Sequence, residues 1–138
     1  MISVRKQEVV KLENVLHLYQ AVGWTNYTHQ PQMLEKSLSH SLAIYLALDG
    51  EAIVGLVRLV GDGFSSVFVQ DLIVLPSHQR QGIGSALMKE ALGDFKEVYQ
   101  IQLATEQTEK NLGFYRFLGF ETLSTYDCTG MIWVERKK

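Results

Sequence analysis

The stretch of this sequence best suited to chemistry is a polar loop with two closely spaced glycines, Gln79-Arg80-Gln81-Gly82-Ile83-Gly84, set between a strand-like and a helix-like run. Its chemistry is anion binding. Gly82 and Gly84 lack a Cβ, so backbone can approach a bulky ligand closely. Free N–H groups at the helix start and the positive end of the helix dipole favour phosphate. Arg80 adds charge beside them. Taken alone, a Gly-x-Gly loop reads equally well as a connector. Two rival phosphate loops fail on the same residues. A dinucleotide fingerprint needs a small residue where Leu87 stands and a glycine directly at the strand end, not several residues beyond Pro76. A Walker loop needs Gly-Lys-Ser or Gly-Lys-Thr, and neither occurs.

The elements that must hold this loop follow from periodicity. Leu12, Val15, Leu16, Tyr19 and Val22 recur at helical spacing, giving an amphipathic helix over Val9–Val22 that stops at Gly23. Residues 23–28 read as an aromatic-rich loop, and Pro31 opens a second helix anchored by Met33, Leu34 and Leu38. Leu42–Leu48 and Ala52–Val60 form an antiparallel pair across the Asp49-Gly50 turn. After Gly61-Asp62-Gly63 comes the most strand-like run, Val67–Leu75, closed by Pro76. Ile83, Leu87, Met88, Ala91, Leu92 and Phe95 share one stripe, so a helix starts near Gly84. Tyr99–Ala104 reads as a strand and Lys110–Leu118 as a helix stopped by Gly119. Glu121–Thr125 and Met131–Val134 read as closing strands. Alternation of this kind indicates an α/β fold of three layers, a mixed and mostly antiparallel sheet with helices on both faces, in a single domain over 1–138.

Composition narrows the function classes. At 46% hydrophobic and 20% charged residues the 138-residue chain is an ordinary globular protein, long enough for one core. A formal net charge of −2 gives no general attraction to phosphate backbones or anionic lipid, so neither nucleic acid nor membrane is an expected partner. Cys128 stands alone, which fits a reducing compartment. With no signal-peptide core and no apolar run of spanning length, a cytoplasmic protein is expected. His17, His29 and His40 are scattered without ligand spacing, and no metal is expected.

A second motif stands downstream, Asn111-Leu112-Gly113-Phe114-Tyr115-Arg116-Phe117-Leu118-Gly119-Phe120. Gln79, Gly82 and Gly84 match the Gln/Arg-x-x-Gly-x-Gly/Ala signature, and Asn111, Phe114-Tyr115 and Gly119-Phe120 the second cofactor motif, of the GNAT superfamily of acetyl-CoA-dependent N-acetyltransferases. The chain resembles that family over nearly its whole length. The resemblance implies transfer of an acetyl group from acetyl-CoA to a primary amine of a small molecule or peptide, by direct attack in a ternary complex. Backbone at Leu72, Ile73 and Val74 would pair with the pantetheine arm as an added strand. Amides of Gln79, Arg80, Gln81, Gly82, Ile83, Gly84 and Ser85 would hold the diphosphate, and a strand amide near Val74 would polarise the thioester carbonyl. Tyr115 aligns with the tyrosine that protonates the departing thiolate; on its own it reads as a core aromatic. Asn111, four residues earlier on the same helix face, would bind the cofactor, or else cap the helix.

The acceptor side is less determined. An ammonium with a pKa near ~10.4 must lose a proton before it attacks. Where relatives place a Glu or His, this chain has Phe68 and Gln70, neither a base. Asp71 is ionisable but by strand alternation should face away from Phe68, Gln70 and Leu72. The base stays open among Asp71, His78 in the loop, and a water chain ending on Gln70. Trp24 and Tyr27 lie where relatives shape the acceptor pocket, and read equally as core. A homodimer is compatible with the resemblance. The competing reading from another class is a module that binds or senses acyl-CoA without turning it over.

Overall fold

The computed structural model describes residues 1–135. By compactness the chain divides into two units, Met1–Leu103 and Ala104–Lys138. The first holds strands β1 (Ile2–Lys6), β2 (Ala43–Asp49), β3 (Ala52–Gly61), β4 (Ser66–Val74) and β5 (Gln100–Leu103) and helices α1 (Leu12–Ala21), α2 (Thr25–Thr28), α3 (Pro31–Ser39) and α4 (Ile83–Asp94). The strands form one sheet in the order β1-β2-β3-β4-β5. β1 through β4 are antiparallel to their neighbours and β5 is parallel to β4.

Two helical layers cover this sheet because its central strands are apolar on both faces. Every β2 residue from Ala43 to Leu48 is buried, as expected for a strand covered on both sides. Ile44, Leu46 and Leu48 pack with Leu56, Ile73 and the helical residues Val15, Leu18, Tyr19, Leu34 and Leu38. The alternate residues face α4, where the Tyr45 hydroxyl donates to the Asp94 carboxylate at 2.7 Å. Gly55 is required by this packing. A Cβ there would come within 2.9 Å of the Ile73 carbonyl oxygen and 3.3 Å of Leu87 Cδ1, so α4 can sit this close only over a glycine.

The three-layer, mixed-sheet architecture read from the sequence is therefore present, with differences in detail. β1 was not expected, because Arg5 and Lys6 make the N-terminal run look polar; it is an edge strand with Ser3, Arg5 and Lys6 exposed, and it pairs with β2. Residues 25–28 form a single helical turn rather than loop, with α2 tucking Tyr27 inward. The first helix starts at Leu12, not Val9.

The second unit carries α5 (Glu109–Phe117), capped by the Thr108 hydroxyl, which accepts from the Asn111 amide at 3.1 Å. Asn111 itself is therefore not the cap. Glu109 in the first turn and Arg116 in the last complement the helix dipole. The two closing strands are not found. Leu123–Tyr126 is a 3-10 turn, and Met131–Val134 lies outside regular secondary structure.

Candidate active site

The glycine loop leaves the end of β4 in a 3-10 turn, Pro76–His78, and enters α4 through two left-handed residues, Arg80 (φ +67°) and Gly82 (φ +78°). Gly82 is the N-cap position, and no side chain caps the helix. The first amides of α4 are thus left for a ligand or water, as an anion site at a helix start requires. A Cβ on Gly82 would meet nothing within 4 Å, so the glycine is demanded by its backbone angle and by whatever fills the open space, not by crowding. Gln79 reaches back, its Nε2 donating to the Val74 carbonyl at 3.2 Å, which fixes the loop across the end of β4. Arg80 and Gln81 are exposed, while Ile83 is buried and anchors α4 to the sheet.

β4 offers its own edge nearby. β5 pairs with β4 only from Ser66 to Val69. The register with β3 shifts between Arg58 and Leu59, leaving Gln70 as the extra residue of a β-bulge. A bulge bends its strand and sharpens the twist, and here it falls where β4 parts from β5. From Gln70 to Val74 the β5-facing edge has no strand partner among the described residues. This strand-free edge runs along Leu72, Ile73 and Val74 into the loop, with the Val74 carbonyl accepting from Gln79 Nε2.

Beneath the bulge lies a closed polar cluster. Arg58 and Asp71 are 4% and 2% exposed, and Arg58 Nε donates to Asp71 Oδ2 at 2.7 Å. Tyr19 and Tyr27 donate to the two Asp71 oxygens, each at 2.9 Å. Burial, then the Asp71 carboxylate, pushes the Tyr19 phenol far above its ordinary range, and burial likewise raises Tyr27; both keep their protons. Arg58 also donates to the Ser41 hydroxyl at 3.2 Å and to Tyr27 Oη at 3.2 Å. No buried side-chain polar atom lacks a partner among the described residues. Asp71 is fully engaged, and a carboxylate so surrounded is not placed to collect a proton from a substrate.

Gln70 joins the cluster from outside, donating from Nε2 to Tyr27 Oη at 3.3 Å. The orientation of this amide is forced. Tyr27 has one hydroxyl proton and gives it to Asp71, so toward Gln70 it can only accept. The Gln70 Oε1 is left facing outward on an exposed residue. The bulge also overturns the expectation that Asp71 faces away from Gln70, since both side chains meet the same tyrosine hydroxyl. Tyr27 is 8% exposed, its ring edge-on to Tyr19 at 5.1 Å, so it contributes to this face from within the core. Trp24 is half-buried, its ring 6.3 Å from that of Tyr27.

His78 does not stand free in its loop. Its Nε2 lies 3.0 Å from Asp49 Oδ2 and its Nδ1 2.8 Å from the Ser77 hydroxyl, so it ties the loop to the β2–β3 turn. In the second unit, Asn111 Nδ2 donates to the Thr105 hydroxyl at 3.1 Å and to the Glu106 carbonyl at 3.4 Å, holding the approach to α5. Tyr115 packs edge-on between Phe114 and Phe120, at 5.0 and 5.9 Å, and burial raises its phenol above the ordinary value.

Sequence reasoning missed Arg58 and Tyr19. The signal was present: a charged residue inside the apolar run Leu56-Val57-Arg58-Leu59-Val60 demands a buried counter-charge. Among the described residues no cluster of three or more His, Cys, Asp or Glu gathers to hold a metal, and no helix is long and apolar enough to cross a membrane.

Comparison with known proteins agrees with this geometry. Residues 40–122 match the family model for the acetyltransferase (GNAT) domain. Serotonin N-acetyltransferase 2, chloroplastic, of Oryza sativa subsp. japonica is 32% identical over 95 residues, 66% of this chain and 48% of the relative. The chain thus spans about half the length of that protein. The GCN5-related N-acetyltransferase 1, chloroplastic, of Arabidopsis thaliana is 29% identical over 138 residues, 97% of this chain and 68% of the relative. A solved GNAT family acetyltransferase from Streptococcus pneumoniae TIGR4 is 78% identical with a TM-score of 0.92, covering 99% of this chain and 100% of that one. An aminoglycoside N-acetyltransferase solved in complex with CoA shares the fold at 18% identity and a TM-score of 0.70, covering 100% of this chain and 95% of that one. The anion-ready loop, the parted strand and the family match point the same way, and the chain belongs to the GNAT family of acetyltransferases.

Proposed function

We propose that the protein transfers an acetyl group from acetyl-CoA to a primary amine of a small molecule or peptide, by direct attack within a ternary complex. The observation that carries this reading is the uncapped start of α4 behind two left-handed residues, set beside an unpaired stretch of β4. Amides of Gln81, Gly82, Ile83, Gly84 and Ser85, with Arg80, bind the diphosphate. The free edge at Leu72, Ile73 and Val74 pairs with the amide groups of pantetheine, and an amide near Val74 polarises the thioester carbonyl where negative charge develops. Gln79 acts through its bond to Val74, and Asn111 by ordering the segment before α5.

The acceptor amine attacks the thioester carbon as a neutral nucleophile. Its N–C bond forms, the C–S bond breaks, and Tyr115 delivers a proton to the departing sulfur while the ammonium proton leaves to water. A phenol raised by burial stays protonated across the working pH range, as an acid must. Gln70 Oε1, oriented by Tyr27, accepts a hydrogen bond from the amine and positions it without acting as base. Trp24 supplies an apolar wall. With Asp71 locked in its ion pair and His78 bonded to Asp49, water is the proton acceptor, which favours amines of low pKa or operation at high pH. A homodimer is compatible with this reading, and a cytoplasmic setting is supported by the lone, exposed Cys128.

That Asp71 is held by Arg58 and His78 by Asp49 also suits the competing reading, a module that holds acyl-CoA without turnover. Thiol release from acetyl-CoA against a panel of amines separates the two. Release above background with at least one amine supports catalysis, whereas saturable CoA binding with no release by any amine would establish the sensor.

A further inference from the structure

We propose that His78 and Asp49 are positioning residues for coenzyme A: their hydrogen bond holds the β4–α4 loop in the one conformation that receives the diphosphate. This rests on the reading of that loop under Proposed function and names what keeps it in shape. The loop has a backbone difficulty to overcome. Arg80 lies at φ +67° and Gly82 at φ +78°; glycine adopts this region freely, whereas arginine does so at a cost. A non-glycine residue stays there only when its surroundings over-determine it. Arg80 and Gln81 are exposed and have no hydrogen-bonded partner among the described residues. Their shape is therefore set by the fixtures on either side. After them comes Ile83, buried against the sheet. Before them the Leu75 amide donates to the Val54 carbonyl, the His78 amide to the Leu75 carbonyl, each at 2.9 Å, and Gln79 Nε2 to the Val74 carbonyl. The bond from the His78 ring to Asp49 carries this restraint across to β2.

Asp49 is a firm anchor. It is the last residue of β2 and stands in register with Ile2 of β1 and Ala52 of β3. Its Oδ2 lies 3.0 Å from His78 Nε2, and its Oδ1 accepts from the Met1 amino group at 3.3 Å. The His78 bond first, and that amino group second, hold the Asp49 carboxyl below its ordinary range, so it is an acceptor at neutral pH. Nε2 of His78 must then carry a proton, and the Ser77 hydroxyl engages Nδ1 at 2.8 Å. With both ring nitrogens bonded, the ring cannot turn without losing both contacts. A ligand that needs one loop conformation binds in proportion to the fraction of molecules that hold it. Releasing His78 lowers that fraction and so weakens CoA. The amine side is untouched, because Gln70 and Tyr27 bond to each other and to the Arg58–Asp71 pair.

The test is calorimetric titration of the full chain with CoA, beside steady-state thiol release. His78→Leu and Asp49→Ala should each raise the Kd for CoA and the KM for acetyl-CoA by roughly three- to tenfold, with kcat and the KM for the amine unchanged. The double variant should bind no more weakly than either single one, since both remove the same bond. His78→Gln places an amide N–H where Nε2–H stands and should recover most of the affinity. A purely structural role would instead lower the Tm and leave the Kd of the folded protein alone. Wild type that binds CoA while His78→Leu binds it equally well would overturn this inference and leave the reading of the loop standing. So would losses in the two single variants that add in the double one. Wild type without affinity for CoA would take down the reading of the loop and this inference with it. Should Asp49→Ala fail to fold, His78→Leu against His78→Gln decides the matter alone.

Discussion

Gly82→Ala separates what the loop does for the fold from what it does for the ligand. Gly82 sits at φ +78° with nothing within 4 Å of a built Cβ, so in the free protein alanine meets strain and no clash. Holding an L residue in left-handed backbone costs roughly 1–2 kcal/mol. Stiffening the unfolded chain returns about 0.5 kcal/mol of this, leaving a net loss of about 1 kcal/mol and a Tm drop of about 3–5 °C. Gly23 provides the control, at φ +71° and also with nothing within 4 Å, but at the end of α1 and far along the chain from the loop. Gly23→Ala should cost the same stability. Only Gly82→Ala should also lose CoA affinity, because a methyl in the space reserved for the diphosphate forfeits one charge-assisted hydrogen bond, about 1.5–3 kcal/mol, or roughly ten- to a hundredfold in Kd. Calorimetric titration with CoA and thermal melts of both variants measure the two quantities. Equal CoA affinity in the two variants would refute the assignment of the loop, whatever their melting temperatures.

Tyr115→Phe should reduce kcat at least tenfold with CoA affinity unchanged, measured by thiol release and calorimetry; full turnover across the pH range would remove Tyr115 from the chemistry. Gln70→Ala should raise KM for the amine far more than it lowers kcat, and Tyr27→Phe, which frees the Gln70 amide to turn over, should do the same in weaker form. Arg58→Met leaves Asp71 buried without its counter-ion and should destabilise by about 3–5 kcal/mol in urea unfolding, while Arg58→Met with Asp71→Leu should recover much of that loss. Asp62 accepts from the Ser65 hydroxyl and then from the amides of Phe64, Ser66 and Ser65, which hold its carboxyl below the ordinary range. A depressed carboxylate stabilises above its unfolded pKa and loses that contribution as pH falls through the folded value. Asp62→Ala should therefore be less stable than wild type at neutral pH and converge with it in acid, as followed by urea midpoints against pH.

How far the sequence carried depended on whether a feature was local. The loop, the helix stripe from Ile83 to Ala91 and the fully apolar β2 were legible because glycine geometry and hydrophobic period are written in adjacent residues. β1 was not, since Ile2 and Val4 alternate with polar residues over too short a span and only pairing with β2 makes them a strand. The side on which Asp71 falls was misread because one extra residue, Gln70, inverts the alternation, and a bulge is specified by register with β3 rather than by composition. The closing strands had the right residue types at Met131–Val134 but no strand partner among the described residues. For the site, the glycine loop was readable from spacing, whereas the tie between Gln70 and Tyr27 joins residues 43 apart and could be seen only once the chain was folded.

The grip of the β4–α4 turn on coenzyme A is tested most directly by titrating isotopically labelled protein with CoA and following backbone amide resonances. The largest shifts should fall on Gln81 through Ser85, with a second set along Leu72–Val74, saturating at one CoA per chain. Binding that leaves those amides unmoved, or no binding of CoA or acetyl-CoA at all, would contradict it.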